Sequence, residues 1–313
     1  MTETKKIGDV LCAELIDAAD HDRNILAVTS DSRGSAALNP FVDTHPDQLV
    51  EIGIAEQNSV TVASGLAHSG KRPFVFAPAA FLTMRSIEQV KVDVAYSNSN
   101  VKLIGISGGN SYSVLGATHH SLQDLAITRA IPNLEIYMPA DEHQAQGLMR
   151  YLATSPNPAY VRIGKVALPT LYSDVAHAFT KPGQANILSN YGQDVAIVAM
   201  GETLAIANDA AAQLNQLSIH AQVIDLVSLK PLDEDTLNQV ADQTHLIVTL
   251  EEHNLYGGLG SAVAEALAPR GDTKVHIIGF PDEPVIAGTQ AEVFKYYDMD
   301  AASVIEKIKH WLG

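Results

Sequence analysis

The sequence predicts an α/β chain of two doubly wound domains, a mainly parallel-sheet domain followed by a smaller α/β domain. Three observations carry this. Apolar residues switch repeatedly between helical spacing and short β-branched runs, as successive βα units require. Around residues 169–190 that rhythm is lost among Pro169, Tyr172, Pro182 and Gly183, as in a linker. Finally, 313 residues exceed one ordinary core, so the chain divides into residues 1–168 and 191–313.

Taken in order, Ile7, Val10, Leu11, Leu15 and Ala18 form one face of a first helix, and residues 25–29 a strand. Leu49, Val50 and Ile52 end a second strand and Gly53 turns the chain. Ile54, Val60, Ala63, Leu66 and Ala67 then mark the buried face of a helix running to about residue 69. A strand over 73–77, a helix over 83–96 and a strand over 101–107 follow. Beyond a glycine-rich loop come a helix near 122–130, a strand near 134–138, a helix over 141–153 and a strand over 160–163. The second domain reads as strands at 194–200, 221–226 and 245–251 around helices at 203–217 and 232–241. A further helix opens at Gly257-Gly258-Leu259-Gly260-Ser261 and runs to 267, residues 275–279 are the last strand, and a helix over 301–312 closes the chain.

Composition narrows the function classes. Hydrophobic residues make up 46%, enough to pack both domains, and the formal net charge is −16 with no basic run against it. Nucleic acid and anionic membranes are therefore not expected as partners. The single cysteine, Cys12, excludes a disulfide within the chain and reads as a small buried thiol. The first six residues do not resemble a signal peptide, and no segment is apolar for long enough to cross a bilayer. A cytoplasmic protein is the expectation.

Glu56 is the residue to explain, because it stands where a strand turns into a helix, at the edge where open parallel sheets bind ligands. Hemmed in by Ile54, Val60 and Val62, its carboxylate is expected to be poorly solvated, with its pKa pushed upward, able to share a proton with a ligand nitrogen. The alternative is that it merely complements its helix dipole. The loop from Gly105 to His120 holds Gly108, Gly109 and Gly116, several hydroxyls and the pair His119-His120. Its length and polarity mark a functional loop, and either histidine could donate a hydrogen bond or carry a proton, or could be a capping residue. Phe81, at a strand-to-helix junction, could stack on a flat heterocycle or belong to the core. The turn Gly257-Gly258-Leu259-Gly260 could bring amides to an anion, although tight helix packing suits it better.

Together, Gly53-Ile54-Ala55-Glu56-Gln57-Asn58, Ala63-Ser64-Gly65-Leu66-Ala67, Gly116-Ala117-Thr118-His119 and Arg129-Ala130-Ile131-Pro132-Asn133 resemble the C-terminal half of transketolases. Val223 to Leu232 and Glu251 to Ser261 are similar to the last domain of that superfamily. The resemblance implies a thiamine-pyrimidine-binding domain followed by a transketolase C-terminal domain. It also implies a split enzyme that uses thiamine diphosphate, because the Gly-Asp-Gly domain that grips the diphosphate has no counterpart here. That domain, with a divalent metal (magnesium or calcium), would sit on a separate N-terminal subunit, in an α2β2 assembly acting on sugars or sugar phosphates.

Carried over by the resemblance, Glu56 matches the carboxylate that bonds the pyrimidine ring nitrogen, with Phe81 stacking on that ring and Arg85 beside the cofactor. His119 matches the histidine contacting substrate oxygens, while Ser35 and Arg162 match groups that hold substrate phosphate. Three departures concern the substrate and pyrimidine sites. Leu115 stands where the family has an aspartate that reads the acceptor's hydroxyl stereochemistry, Ser107 where it has a phosphate-binding histidine, and Pro78 where it has an aromatic. The reaction implied is transfer of a two-carbon ketol unit from a ketose to an aldehyde. The beta subunits of 2-oxo acid dehydrogenases, deoxyxylulose-phosphate synthases and a non-catalytic regulatory partner are the alternatives.

Overall fold

Each β-branched run of the first half is followed by a helix that returns the chain to the same sheet edge, which makes a parallel sheet the outcome. In the computed structural model, which describes residues 4–244 and 246–313, that sheet has seven strands. Their order is Ser228–Lys230, Glu135–Tyr137, Ala159–Arg162, Lys102–Ile106, Arg72–Pro78, Ile25–Thr29 and Leu49–Glu51. Every neighbouring pair is parallel except the first. Ser228–Lys230 arrives antiparallel from the second half of the chain and so ties the halves together. Three residues before a proline are too short to show a period, which is why the sequence does not mark them.

The second sheet has five strands, in the order Lys274–Phe280, Leu246–Asn254, Val195–Ala199, Ala221–Asp225 and Asn186–Asn190. The last of these runs antiparallel to its neighbour. It lies in the stretch expected to be a linker, and Ala167–Pro169, which only reaches that stretch with its last residue, pairs antiparallel with Thr4–Lys6. Residues 1–3 and the first residue expected in the strand at 245–251 lie outside the described residues.

The helix expected over 83–96 is broken. Phe81–Arg85 and Val90–Tyr96 are π-helical, on either side of a short α turn Ile87–Gln89. Single π turns of this kind recur at functional sites. A helix over Gln290–Tyr296, not expected from apolar period, begins with a capping box in which Thr289 and Glu292 satisfy each other's backbone amides.

Packing explains how the layers hold. Helices Ile7–His21 and Glu142–Thr154 cover one face of the larger sheet through Leu11, Leu15, Leu148 and Leu152. Val60 and Ala63 of helix Glu56–His68, with Val90 and Val94, cover the other. That second cluster continues through Met138 and Leu229 to Leu237, Leu259 and Val263, so the two halves share buried apolar contacts. Among the described residues no helix is long and apolar enough to cross a membrane. The carboxyl ends of the four central parallel strands open at one edge, and the candidate site lies there.

Candidate active site

Glu56 is the first residue of helix Glu56–His68, and its position is set by the turn before it. Gly53 has φ +78°, a conformation that favours glycine, and the Glu51 carboxylate accepts from the amides of Asp31 (2.8 Å) and Gly53 (3.0 Å). The Glu56 side chain is only 3% exposed, and Arg85 Nη1 donates to its Oε2 at 2.6 Å. Val60, one turn further along the helix, is buried, but Ile54 is 77% exposed and does not wall the carboxylate in. The reason is the turn, which swings Ile54 outward before the helix begins.

Arg85 also lies over the Phe81 ring, 4.4 Å from its centroid. Phe81 and Arg85 are the two ends of one π-helical turn, so that turn delivers both the aromatic and the counter-charge of Glu56. From Phe81 a row of side chains runs along the sheet edge. The Phe81 and His119 rings meet edge-on at 5.2 Å, and His119 meets Tyr112 at 5.8 Å. Thr118 Oγ1 lies 2.9 Å from His119 Nδ1 and fixes the ring. Tyr112 Oη donates to Ser35 Oγ at 3.2 Å, and the Lys165 ammonium stands 4.0 Å from the Tyr112 ring centroid. Burial opposes ionisation of Tyr112, but its bonds to Ser35 and Lys165 outweigh that and hold its pKa below the ordinary phenol value.

Beyond Tyr112 the row reaches a pocket of about 270 Å³ lined by Lys6, Asp9, Ser35, Ser107 and Lys165. The pocket sits at the N-terminus of helix Ile7–His21, whose first amides have no side-chain cap. Two lysines, two serine hydroxyls and a helix N-terminus suit an anion, with Asp9 the one acid in the lining. Lys6, Tyr112 and Lys165 are not marked by the sequence. The signal that could have found Lys165 is its place, just past the carboxyl end of an expected strand.

The site residues expected from the sequence divide. Glu56, Phe81, Arg85, His119, Ser35 and Ser107 fall on this edge. Leu115 lies on the turn Ser113–Leu115 of the same loop, 51% exposed. His120 is buried with Nε2 3.2 Å from Ser113 O and closes the loop rather than facing the site. Arg162 does not join them. Its side chain is 1% exposed, enclosed by Asp124 of its own domain and Glu252 of the second, each 3.5 Å away. As it stands, its guanidinium is held by carboxylates and is not presented to a substrate phosphate. The glycine turn at 257–260 is likewise filled from within, since the amides of Leu259 and Gly260 donate to Glu251 at 2.6 and 2.8 Å.

Behind the site, acids are concentrated where the domains meet. Burial raises Glu251 and Asp225 to about 7 and raises Glu202 and, further, Glu252. Glu251 and Asp225 thus hold their protons in the folded chain at pH values where the unfolded chain, with ordinary carboxyl values near ~4, has released them. Folding therefore takes up protons, and stability falls as pH rises between about 5 and 7, by about 1.4 kcal/mol per pH unit for each proton held. Burial lowers His253 to about 4 and works in the opposite sense over part of this window, offsetting about one of these two. Thermal unfolding at pH 5.5 and 7 is expected to give the higher midpoint at 5.5, and a higher midpoint at 7 would contradict this account.

Residues 4–170 match the transketolase pyrimidine-binding domain and residues 183–304 the transketolase C-terminal domain. The chain is 45% identical over 290 residues to an apulose-4-phosphate transketolase subunit of Phocaeicola vulgatus, covering 93% of this chain and 92% of that one. It is 34% identical over 308 residues to the like-named protein of Actinobacillus succinogenes, covering 98% of each. A solved structure described as a split gene transketolase, an inactive beta4 tetramer, superposes with a TM-score of 0.88 at 31% identity, covering 99% of both chains. The chain therefore belongs to the transketolase family, and what it contains of that family is the pyrimidine-binding and C-terminal domains.

Proposed function

We propose that this chain is the C-terminal subunit of a two-chain, thiamine-diphosphate-dependent transketolase that moves a two-carbon ketol unit from a ketose phosphate to an aldehyde. The observation that carries the proposal is Glu56, a carboxylate nearly removed from water at a strand-to-helix edge, with Phe81 and His119 beside it. These residues suit the cofactor's pyrimidine half, since an aromatic face and a buried proton acceptor are what a protonatable heterocycle requires. When bound, thiamine diphosphate supplies a carbon nucleophile that attacks ketose carbonyls. The diphosphate and its divalent cation, magnesium or calcium, belong in this proposal to an N-terminal partner subunit, in an α2β2 assembly.

The chain's own residues then have separate tasks. Arg85 holds Glu56 Oε2, which orients the carboxylate and leaves Oε1 to share a proton with the pyrimidine nitrogen. Phe81 offers its face to the ring. His119, fixed by Thr118, reaches the substrate oxygens. Lys165, Lys6 and Ser35 receive the phosphate in the pocket at the helix N-terminus, and Leu115 contacts the acceptor without a charge. Apulose 4-phosphate, the sugar phosphate in the names of two relatives, is the first candidate to assay.

Reconstitution with the partner chain tests the proposal. Ketol transfer without carbon dioxide supports it, whereas decarboxylation of a 2-oxo acid would assign the chain to a different thiamine enzyme. Calorimetry with thiamine diphosphate is expected to show tight binding only with both chains present. Lys165→Ala is expected to raise KM for a phosphorylated ketose about 10- to 100-fold, the loss of one charge-assisted hydrogen bond, with kcat nearly unchanged. Equal KM effects on a sugar lacking the phosphate would contradict the role of Lys165.

A further inference from the structure

The loop over residues 107–120 carries Ser107, Tyr112, Leu115 and His119, but its backbone is held from the other domain. Glu252 Oε1 accepts from the Asn110 amide at 2.7 Å. The same oxygen accepts from Gln290 Nε2 at 2.7 Å, and Gln290 Nε2 also bonds Glu202. Ser111 Oγ, which donates to Gly108 O at 2.7 Å, stands 3.4 Å from Glu202 Oε1. Arg162 Nη2 donates to the Glu252 carbonyl at 2.5 Å and packs under Gly108 and Gly109. A Cβ at Gly109, which has φ +59°, would run into both Arg162 and Glu252. On the next strand end the Glu202 carboxylate lies where a Cβ of Gly164 would be, one residue before Lys165.

This contact is built differently from ordinary domain packing. Its Asn110, Arg162, Glu202 and Glu252 side chains are polar or charged and all buried, with the desolvation cost that entails. Apolar residues of the same shape would avoid that cost, so stability alone does not account for the arrangement. What these polar groups do supply is a fixed distance between the second domain and the backbone of one loop.

We propose that Glu252, seated by Gln290 and Glu202, is a positioning residue for the loop, so that the second domain sets where Tyr112 and His119 stand. The kinetic arm of the test rests on the function proposed above, and the exchange arm does not. In Glu252→Ala, amide hydrogen exchange over 107–120 is expected to rise about tenfold, as one buried hydrogen bond is lost, while exchange over 56–68 stays unchanged. In the reconstituted pair, KM for the sugar phosphate is expected to rise about tenfold with affinity for thiamine diphosphate unchanged. Glu252→Gln retains an acceptor for the Asn110 amide and is expected to restore both readings to within about threefold of wild type. Gln290→Ala loosens the same loop from a half-buried position and carries the test where Glu252→Ala does not fold. Unchanged loop exchange in the alanine variant that folds, or a glutamine variant as impaired as Glu252→Ala, would overturn the proposal. Should the wild-type pair transfer no ketol unit, the proposed function fails and the exchange result still decides the loop.

Discussion

Glu56→Gln is expected to lower kcat of the reconstituted pair by about 10²- to 10⁴-fold, the range that a positioned proton-transfer group supplies. Glutamine matches the shape of the carboxylate and can accept a hydrogen bond, but it cannot take up or release the proton. The pairing with Arg85 makes the experiment clean. Arg85 is 46% exposed, so in the variant its charge is hydrated by water and the fold loses little. The opposite truncation is the costly one, since Arg85→Ala leaves a carboxylate that is 3% exposed without its counter-charge. If Glu56 only complemented its helix dipole, Glu56→Gln would lower stability by roughly 0.3–1 kcal/mol and leave kcat alone. Steady-state kinetics, with sedimentation to show that the two chains still assemble, separates these. A kcat within tenfold of wild type would remove Glu56 from the chemistry.

Glu56 was legible because its position follows from local signals: a strand end, a glycine turn and the apolar face of a helix, all within residues 49–67. Phe81 and His119 were legible for the same reason, each at a junction or in a long loop. Ile54 misled because an apolar residue next to a helix start is ordinarily buried, and only the direction of the turn at Gly53 sends it outward. Lys165 and Tyr112 escaped because a cation resting on a ring joins residues more than fifty positions apart, a pairing that leaves no period in the sequence. The strand Ser228–Lys230 escaped by its length, while the helix Gln290–Tyr296 did carry a readable signature in Thr289 and Glu292. Arg162 marks the limit most sharply. Its strand-end position is right for a ligand contact, yet the partner that claims it, Glu252, lies ninety residues away on another sheet.

Arg162→Met is therefore expected to act on stability first, by about 3–5 kcal/mol, the cost of taking one partner from a buried ion pair. Asp124 and Glu252 face the guanidinium from two elements, and both are buried away from bulk solvent. A residue that bound substrate phosphate at an open channel would instead raise KM and leave the unfolding midpoint in place, so thermal unfolding and kinetics on one variant distinguish the two roles. The pH dependence sharpens the contrast. Burial and the neighbouring Glu202 already raise the Glu252 carboxyl well above its ordinary value, with Arg162 acting against them. Without that cation the folded variant holds the Glu252 proton more firmly than wild type, while the unfolded chain releases it near ~4 as before. The folded state then binds more protons than the unfolded one across neutral pH, so stability falls as pH rises and is partly regained on acidification. Arg162→Met is expected to recover part of its lost midpoint between pH 7.5 and 5.5 relative to wild type, and Glu252→Gln in the same chain should recover more of it at pH 7.5. A midpoint loss that is equal at both pH values and unaffected by Glu252→Gln would show that the cost is one of packing rather than charge.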